Sequence, residues 1–256
     1  MKHSKENEAN VRIAPPAITA EEFHRHVLEG RPKVAVFDCD GTLWSGDAGY
    51  GFMAWSLEQG LVSRSTIDCI TTRYRAYLAG DVSELAICGE MVQIYAGLRE
   101  DELRSAARRY FVEFVHQRIF PEMTALLNAL AARGVELWAV SSTNRWVIVE
   151  GLRHFPISEE RILAASVHVQ NGIITDRLIQ VPTDEEKAIA LRRAGISAPD
   201  AVFGNSIHDL AMLQMARRAF PVNPSPALVE AAAQNGWSCF RPAAAEGLNA
   251  SVGGEP

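Results

Sequence analysis

Hydrophobic positions divide the chain into three regions of different period. Lys33 to Phe37 (KVAVF) is a short apolar run closed by Asp and Gly, the pattern of a buried strand. Just upstream, Thr19 followed three residues later by Glu22 has the spacing of a capping box and predicts a short helix. From about 46 to 118 apolar residues recur at helical spacing, over roughly 48–59, 64–79, 82–96 and 100–118. Gln59-Gly60, Ala79-Gly80-Asp81 and Ala96-Gly97 mark the joints, and no strand-like run interrupts them, so this region reads as a small helical bundle. After Pro121 strands and helices alternate. A helix over 122–133 ends at Gly134, followed by a strand over 135–140 (VELWAV) and a helix over 145–153. A strand over 161–166 leads into a hairpin over 167–175 that turns at Asn171-Gly172. Then come a helix over 184–194, a strand over 201–203, a helix over 207–216, a short strand over 219–222 and a helix to about 234. Alternation of this kind predicts an α/β core whose parallel sheet is covered by helices on both faces, with the helical bundle inserted as a cap. The predicted division is a flexible segment 1–17, a core of 18–45 and 119–242, a cap of 46–118, and a flexible tail 243–256.

Composition narrows the class. With 256 residues, 48% hydrophobic and 22% charged, the chain is an ordinary globular sequence. A net charge of −6 lacks the basic footprint of a nucleic-acid binder. Cys39, Cys69, Cys88 and Cys239 form no C-x-x-C pair and fit no zinc spacing, so they read as free thiols in a reducing compartment. The N-terminal MKHSKENEAN has no apolar core of a signal peptide, and no run reaches the ~18 apolar residues of a membrane span. A cytoplasmic protein with no membrane or nucleic-acid partner is expected.

Four stretches carry candidate chemistry. Phe37-Asp38-Cys39-Asp40-Gly41-Thr42-Leu43 places two carboxylates at i and i+2 where the first core strand ends. Ligands of open α/β sheets bind at that end. Carboxylates paired there suit a hard divalent cation, or a nucleophile beside an acid/base. Ser141-Ser142-Thr143 follows the strand VELWAV; hydroxyls and free N–H groups before a helix hold anions, although Ser and Thr also cap helices. Lys187 sits near the start of a helix, where a cation opposes the helix dipole unless an anion compensates; a solvated surface lysine is the plain alternative. Phe203-Gly204-Asn205-Ser206-Ile207-His208-Asp209 supplies an amide oxygen and a carboxylate at another strand end. If all four follow strands of one sheet, they converge on one rim.

Taken together, these residues resemble the haloacid dehalogenase superfamily, in its phosphoserine-phosphatase-like branch with a helical cap inserted after the first motif. The resemblance spans about residues 33 to 225 and rests on FDCDGTL, the Phe120-Pro121-Glu122 re-entry and the later motifs. It implies a Rossmann-like core and a Mg²⁺-dependent phosphatase acting on a small phosphorylated metabolite. It implies that Asp38 attacks phosphorus to form an aspartyl-phosphate. Asp40 then serves as acid and later base, its backbone carbonyl also binding Mg²⁺. Ser141, Ser142 and Lys187 hold the phosphoryl group. Asp38, Asp40, Asn205 and Asp209 form the metal site, Asp209 either through a metal-bound water or by orienting Lys187.

Two positions depart from the family pattern. The residue after Gly204 is usually Asp; here it is Asn205, which still offers an oxygen but no charge, so weaker metal binding is expected. A catalytically weak binding protein on the same scaffold is the competing reading. Asp47, nine residues after Asp38, matches the acidic residue that meets a substrate amine, while the position of the cap arginine for a substrate carboxylate falls at Glu90. Arg73, Arg75 and Arg99 do not align with it. An acidic cap of this kind favours an aminoalcohol phosphate over phosphoserine. Trp44, Tyr50 and Trp55 either face a substrate cation or form the interface between cap and core.

Overall fold

The structure, a computed structural model, describes residues 17–245. The expected flexible ends lie almost wholly outside these residues. In chain order the elements are β1 (Ala17–Ile18), α1 (Ala20–Glu29), β2 (Val34–Phe37), α2 (Ala48–Glu58), α3 (Arg64–Leu78), α4 (Glu84–Gln93), α5 (Glu100–Tyr110), α6 (Pro121–Ala131), β3 (Glu136–Asn144) and α7 (Arg145–Leu152). Then follow β4 (Ile162–Gln170), β5 (Ile173–Gln180), α8 (Glu185–Arg193), β6 (Ala201–Gly204), α9 (Leu210–Gln214), β7 (Arg218–Pro221), α10 (Pro226–Asn235) and β8 (Cys239–Phe240).

Six strands form one sheet in the order β5-β4-β3-β2-β6-β7. All neighbours are parallel except β4 and β5, which form the antiparallel hairpin at one edge. Successive side chains of a strand point to opposite faces, and β2 uses both. Ala35 and Phe37 join the core formed with α1, α6 and α7, whereas Val36 joins that formed with α8, α9 and α10. Phe37 stacks on Phe203 with ring centroids 4.3 Å apart, both fully buried. Burial of each such side chain contributes about 2–3 kcal/mol, so the centre of the sheet is rigid where the candidate motifs leave it.

The capping box at Thr19 and Glu22 is present, and Asn171-Gly172 turns with both φ values positive, 52° and 76°, as a two-residue hairpin requires. The hairpin is longer than its expected 167–175 because β4 and β5 extend beyond the core and pair with the helical segment. Ile174 exchanges backbone hydrogen bonds with Gly97 (2.8 Å) and Leu98 (2.9 Å), and Gln93 Nε2 donates to the Asp176 carbonyl at 2.6 Å. The four helices α2 to α5 enter and leave the core as neighbouring strands of chain: Ser45 N donates to Arg118 O at 3.0 Å and Phe120 N to Leu43 O at 2.9 Å. The expected single helix over 100–118 is instead α to Tyr110, π over Phe111–Val115 and 3₁₀ over His116–Arg118. The change of pitch turns both Phe111 and Val115 into the core before the chain re-enters it.

Candidate active site

The three central strands of the sheet deliver the motifs. β2 lies between β3 and β6, and Phe37 is in register with both Ala139 and Phe203. Asp38, Ser141 and Asn205 therefore emerge side by side. Together with Asp40, Asp47, Ser142, Thr143, Lys187, His208 and Glu84 of α4, they line a cleft of about 420 Å³.

At its floor Lys187 Nζ donates to Asp38 Oδ1 at 2.8 Å and to Asp209 Oδ1 at 2.5 Å. All three side chains are almost wholly buried. Asp38 Oδ2 accepts from Thr42 Oγ1 at 2.9 Å. The anion that a lysine in the first turn of α8 requires is thus supplied twice over. Burial alone would lower the Lys187 pKa, but Asp209 and Asp38 outweigh it and raise it, so the ammonium stays charged. Burial and the charge of Asp209 push the Asp38 carboxyl up to about 6, against the pull of Lys187 and Thr42.

Asp40 sits one layer higher. Its Oδ1 accepts from Trp44 Nε1 and Ala48 N, both at 2.7 Å, and its Oδ2 from Thr143 Oγ1 at 2.7 Å. Burial, then repulsion from Asp47, push it up to about 7, in spite of these donors. Asp40 is thus partly protonated near neutrality, and the protonated form is the state an acid must have to protonate a leaving oxygen. Gly49 is what lets the start of α2 approach so closely: a Cβ there would lie 2.5 Å from Thr143 Oγ1.

β3 runs through Asn144 with an irregularity between Ser141 and Asn144, rather than ending at Val140. Asn144, not the preceding hydroxyls, caps α7 by accepting from Val147 N at 3.1 Å. Ser141 and Ser142 are thereby released from capping and line the cleft; Ser141 Oγ accepts from Thr143 N at 3.1 Å.

Asp209 holds Lys187 and offers no oxygen to the cleft. Its Oδ1 holds Lys187 and its Oδ2 accepts from the N–H groups of Asn205 (2.8 Å) and Ser206 (2.9 Å); the side chain is fully buried and does not line the cleft. Asn205 does line it, against Gly41, where φ is 74° and a Cβ would meet Asn205 Nδ2 at 1.9 Å. Near Asn205 the oxygens that a cation could use include the Asp38 carboxylate, the Asn205 amide and backbone carbonyls. Such a hard, oxygen-only set fits Mg²⁺, which keeps several waters and takes one or two carboxylates.

One expectation is corrected: Glu90 is not in the cleft. It forms a bidentate ion pair with Arg73, Nη2 to Oε1 at 2.6 Å and Nε to Oε2 at 2.8 Å, in a separate hollow between α3 and α4. Its side of α4 faces α3 rather than the core, which helical phase alone did not reveal. Of the two readings open for Trp44 its burial fits the interface one: it is bonded to Asp40 and edge-on to Phe111. Asp47 lies at the cleft mouth as the N-cap of α2, accepting from Tyr50 N at 2.8 Å; crowding by protein atoms raises its carboxyl above the ordinary range. The sequence reading missed Glu84, a helix-start glutamate with nothing local to distinguish it, and the bond from Thr143 to Asp40, 103 residues apart.

Comparison with known proteins agrees with this architecture. A curated histidinol-phosphatase of Neisseria meningitidis serogroup C (strain 8013) is 23% identical over 215 residues, covering 80% of this chain and 96% of that protein. A protein of unknown function from Bordetella pertussis Tohama I superposes with a TM-score of 0.70 at 21% identity, covering 81% of this chain and 97% of the other. A phospho-aspartyl intermediate analogue of phosphoserine phosphatase does so with a TM-score of 0.54 at 14% identity, covering 82% and 93%. The family model of haloacid dehalogenase-like hydrolases matches residues 35–214. With that match over more than half its length, the chain belongs to the haloacid dehalogenase-like hydrolase family, and the relatives it resembles include phosphatases.

Proposed function

We propose that the protein hydrolyses a small phosphomonoester with Mg²⁺, through an aspartyl-phosphate on Asp38. The observation that carries this reading is the buried triad of Asp38, Lys187 and Asp209 beneath an open cleft. A carboxylate at the floor with its Oδ1 held by Lys187 presents an oriented oxygen to an incoming phosphorus. Phosphoryl transfer asks mainly for such positioning and for charge neutralisation. Lys187 neutralises part of the charge, and Asp209, locked by two backbone N–H groups, fixes Lys187 in place. Ser141 and Ser142 offer hydroxyls and backbone N–H groups to the phosphoryl oxygens.

Asp38, the Asp40 carbonyl and Asn205 would hold Mg²⁺, which when bound supplies Lewis-acid charge neutralisation at the phosphoryl oxygens. Asp209 supports that site from behind. Asp40, held by Thr143, Trp44 and Ala48, gives its proton to the leaving alcohol and then takes one from water. Helices of 46–118 act as a cap over the core of 18–45 and 119–242. With Asp47 at the mouth, an aminoalcohol phosphate suits the cleft better than phosphoserine. Among the described residues no helix is long and apolar enough to cross a membrane, and the four cysteines are free thiols, which fits a cytoplasmic location.

Turnover of p-nitrophenyl phosphate with Mg²⁺ tests the reading. Asp38→Asn is expected to abolish it, together with the acid-stable trapping of phosphate on the protein. Full activity in that variant refutes the mechanism.

A further inference from the structure

The wall of the cleft opposite Asp38 differs in chemistry from its floor. Behind Ser142, Thr143 and Asn144 the cleft continues into a narrow recess lined by Asp47, Gly49, Glu84, Ile87, Cys88 and Met91, closed by Tyr74 and Tyr77. Glu84 and Asp47 line both spaces. Among the described residues Lys187 is the one Lys or Arg that lines either, and it is consumed by Asp38 and Asp209. Of the cap arginines, Arg73 is paired with Glu90, and Arg99 with Asp101 at 2.8 Å. Arg118 reaches the backbone at Gly46 without lining either space. A substrate carboxylate would therefore meet two carboxylates and no free Lys or Arg among the lining residues.

Glu84 borders both spaces from the first turn of α4. The helix that it begins is capped by Ser83, not by Glu84. Its side chain is 13% exposed and accepts from Cys88 Sγ at 3.5 Å; the Tyr77 hydroxyl also bonds to it. His208 Nε2 lies 3.9 Å from its Oε2, while His208 Nδ1 lies 2.7 Å from Asp184 Oδ1. Asp184 has φ 47° and ψ −128°, a strained conformation for a non-glycine residue of the kind that clusters at functional sites. His208, held by Asp184, thus lies across the seam from the Glu84 carboxylate. Asp47, by contrast, is engaged as the N-cap of α2. Tyr74, stacked on Tyr50 with centroids 4.5 Å apart, adds an aromatic wall of the kind that attracts cations.

Resting on the phosphatase reading, we infer that Glu84 is the specificity-determining residue of the cleft, selecting phosphomonoesters whose alcohol carries a cationic group and no carboxylate. The recess receives the cation between Glu84 and the tyrosines, with the phosphoryl group on Asp38. Phosphoserine, with both an ammonium and a carboxylate, is a poor substrate.

The test compares kcat/KM with Mg²⁺ for ethanolamine phosphate, its uncharged analogue propyl phosphate, and phosphoserine, in the wild type, Glu84→Gln and Glu84→Arg. Glu90→Gln serves as the control for a cap carboxylate outside the cleft. The wild type is expected to prefer ethanolamine phosphate to both others. Glu84→Gln should lower the preference for ethanolamine over propyl phosphate about tenfold, mainly through KM, the scale of one partly desolvated charge pair. Glu84→Arg should reverse the order of ethanolamine phosphate and phosphoserine, and Glu90→Gln should keep the wild-type ratios. An unchanged ratio in Glu84→Gln, or phosphoserine as the best wild-type substrate, overturns the inference while leaving the hydrolase reading intact. Failure of the wild type to turn over any of the three and p-nitrophenyl phosphate overturns both.

Discussion

Replacing Lys187 by Met isolates the electrostatics of the floor. The substitution keeps most of the apolar stem but removes the ammonium that lies 2.8 Å from Asp38 and 2.5 Å from Asp209. Two buried carboxylates then face one another with no cation. Breaking a buried pair by removing one partner costs about 3–5 kcal/mol. For a chain of this size that lowers Tm by about 10 °C. The loss depends on pH, and its sign follows from Asp38. Even with Lys187 present, its folded-state carboxyl stands at about 6, above the ordinary 3.8. A group raised on folding contributes stability that is complete below its unfolded pKa and is lost as pH rises through the folded value. Without Lys187 the Asp38 carboxyl rises further, so it takes up a proton at moderately acid pH and the deficit shrinks there. Thermal unfolding of metal-free protein, with chelator present so that no divalent cation replaces the lost charge, reads this directly. The deficit at about pH 8 should be at least twice that at about pH 5. Equal deficits at the two pH values, or a Tm change under about 2 °C at the higher one, would show that the triad is not the charge-balanced unit described.

Two further outcomes bear on the roles of single side chains. Asn205→Asp adds the charge that the family pattern carries at this position; the Mg²⁺ concentration giving half-maximal activity should fall about tenfold, and an unchanged titration would mean that Asn205 does not reach the metal. Thr143→Val removes a hydrogen bond that favours ionised Asp40; its pKa, about 7 in the intact site, should rise, so that the alkaline limb of the pH–rate profile moves to higher pH and kcat falls about tenfold or more.

Much of this protein was legible in one dimension. KVAVF followed by Asp and Gly specifies a buried strand and its abrupt end because burial on both faces demands a continuous apolar run and a sharp exit demands glycine. The helical segment, the alternation after Pro121, the capping box at Thr19 and the turn at Asn171-Gly172 follow from interactions within a few residues, which is why local pattern suffices for them. Asp38, Ser141, Lys187 and Asn205 could be singled out because each follows a strand or begins a helix, the positions where backbone geometry opens a site.

Other features depend on distance in sequence and rotation about a helix axis, and these only the tertiary structure decided. Glu84 and Glu90 lie six residues apart on one helix; α4 packs so that Glu84 looks into the cleft and Glu90 toward Arg73, a difference set by which apolar face meets the core. Asp209 became the anchor of Lys187 once its second oxygen was taken by two backbone N–H groups. The raised pKa values of Asp38 and Asp40 exist only where distant segments exclude water from both carboxyls, since desolvation belongs to the assembled fold and to no segment of it.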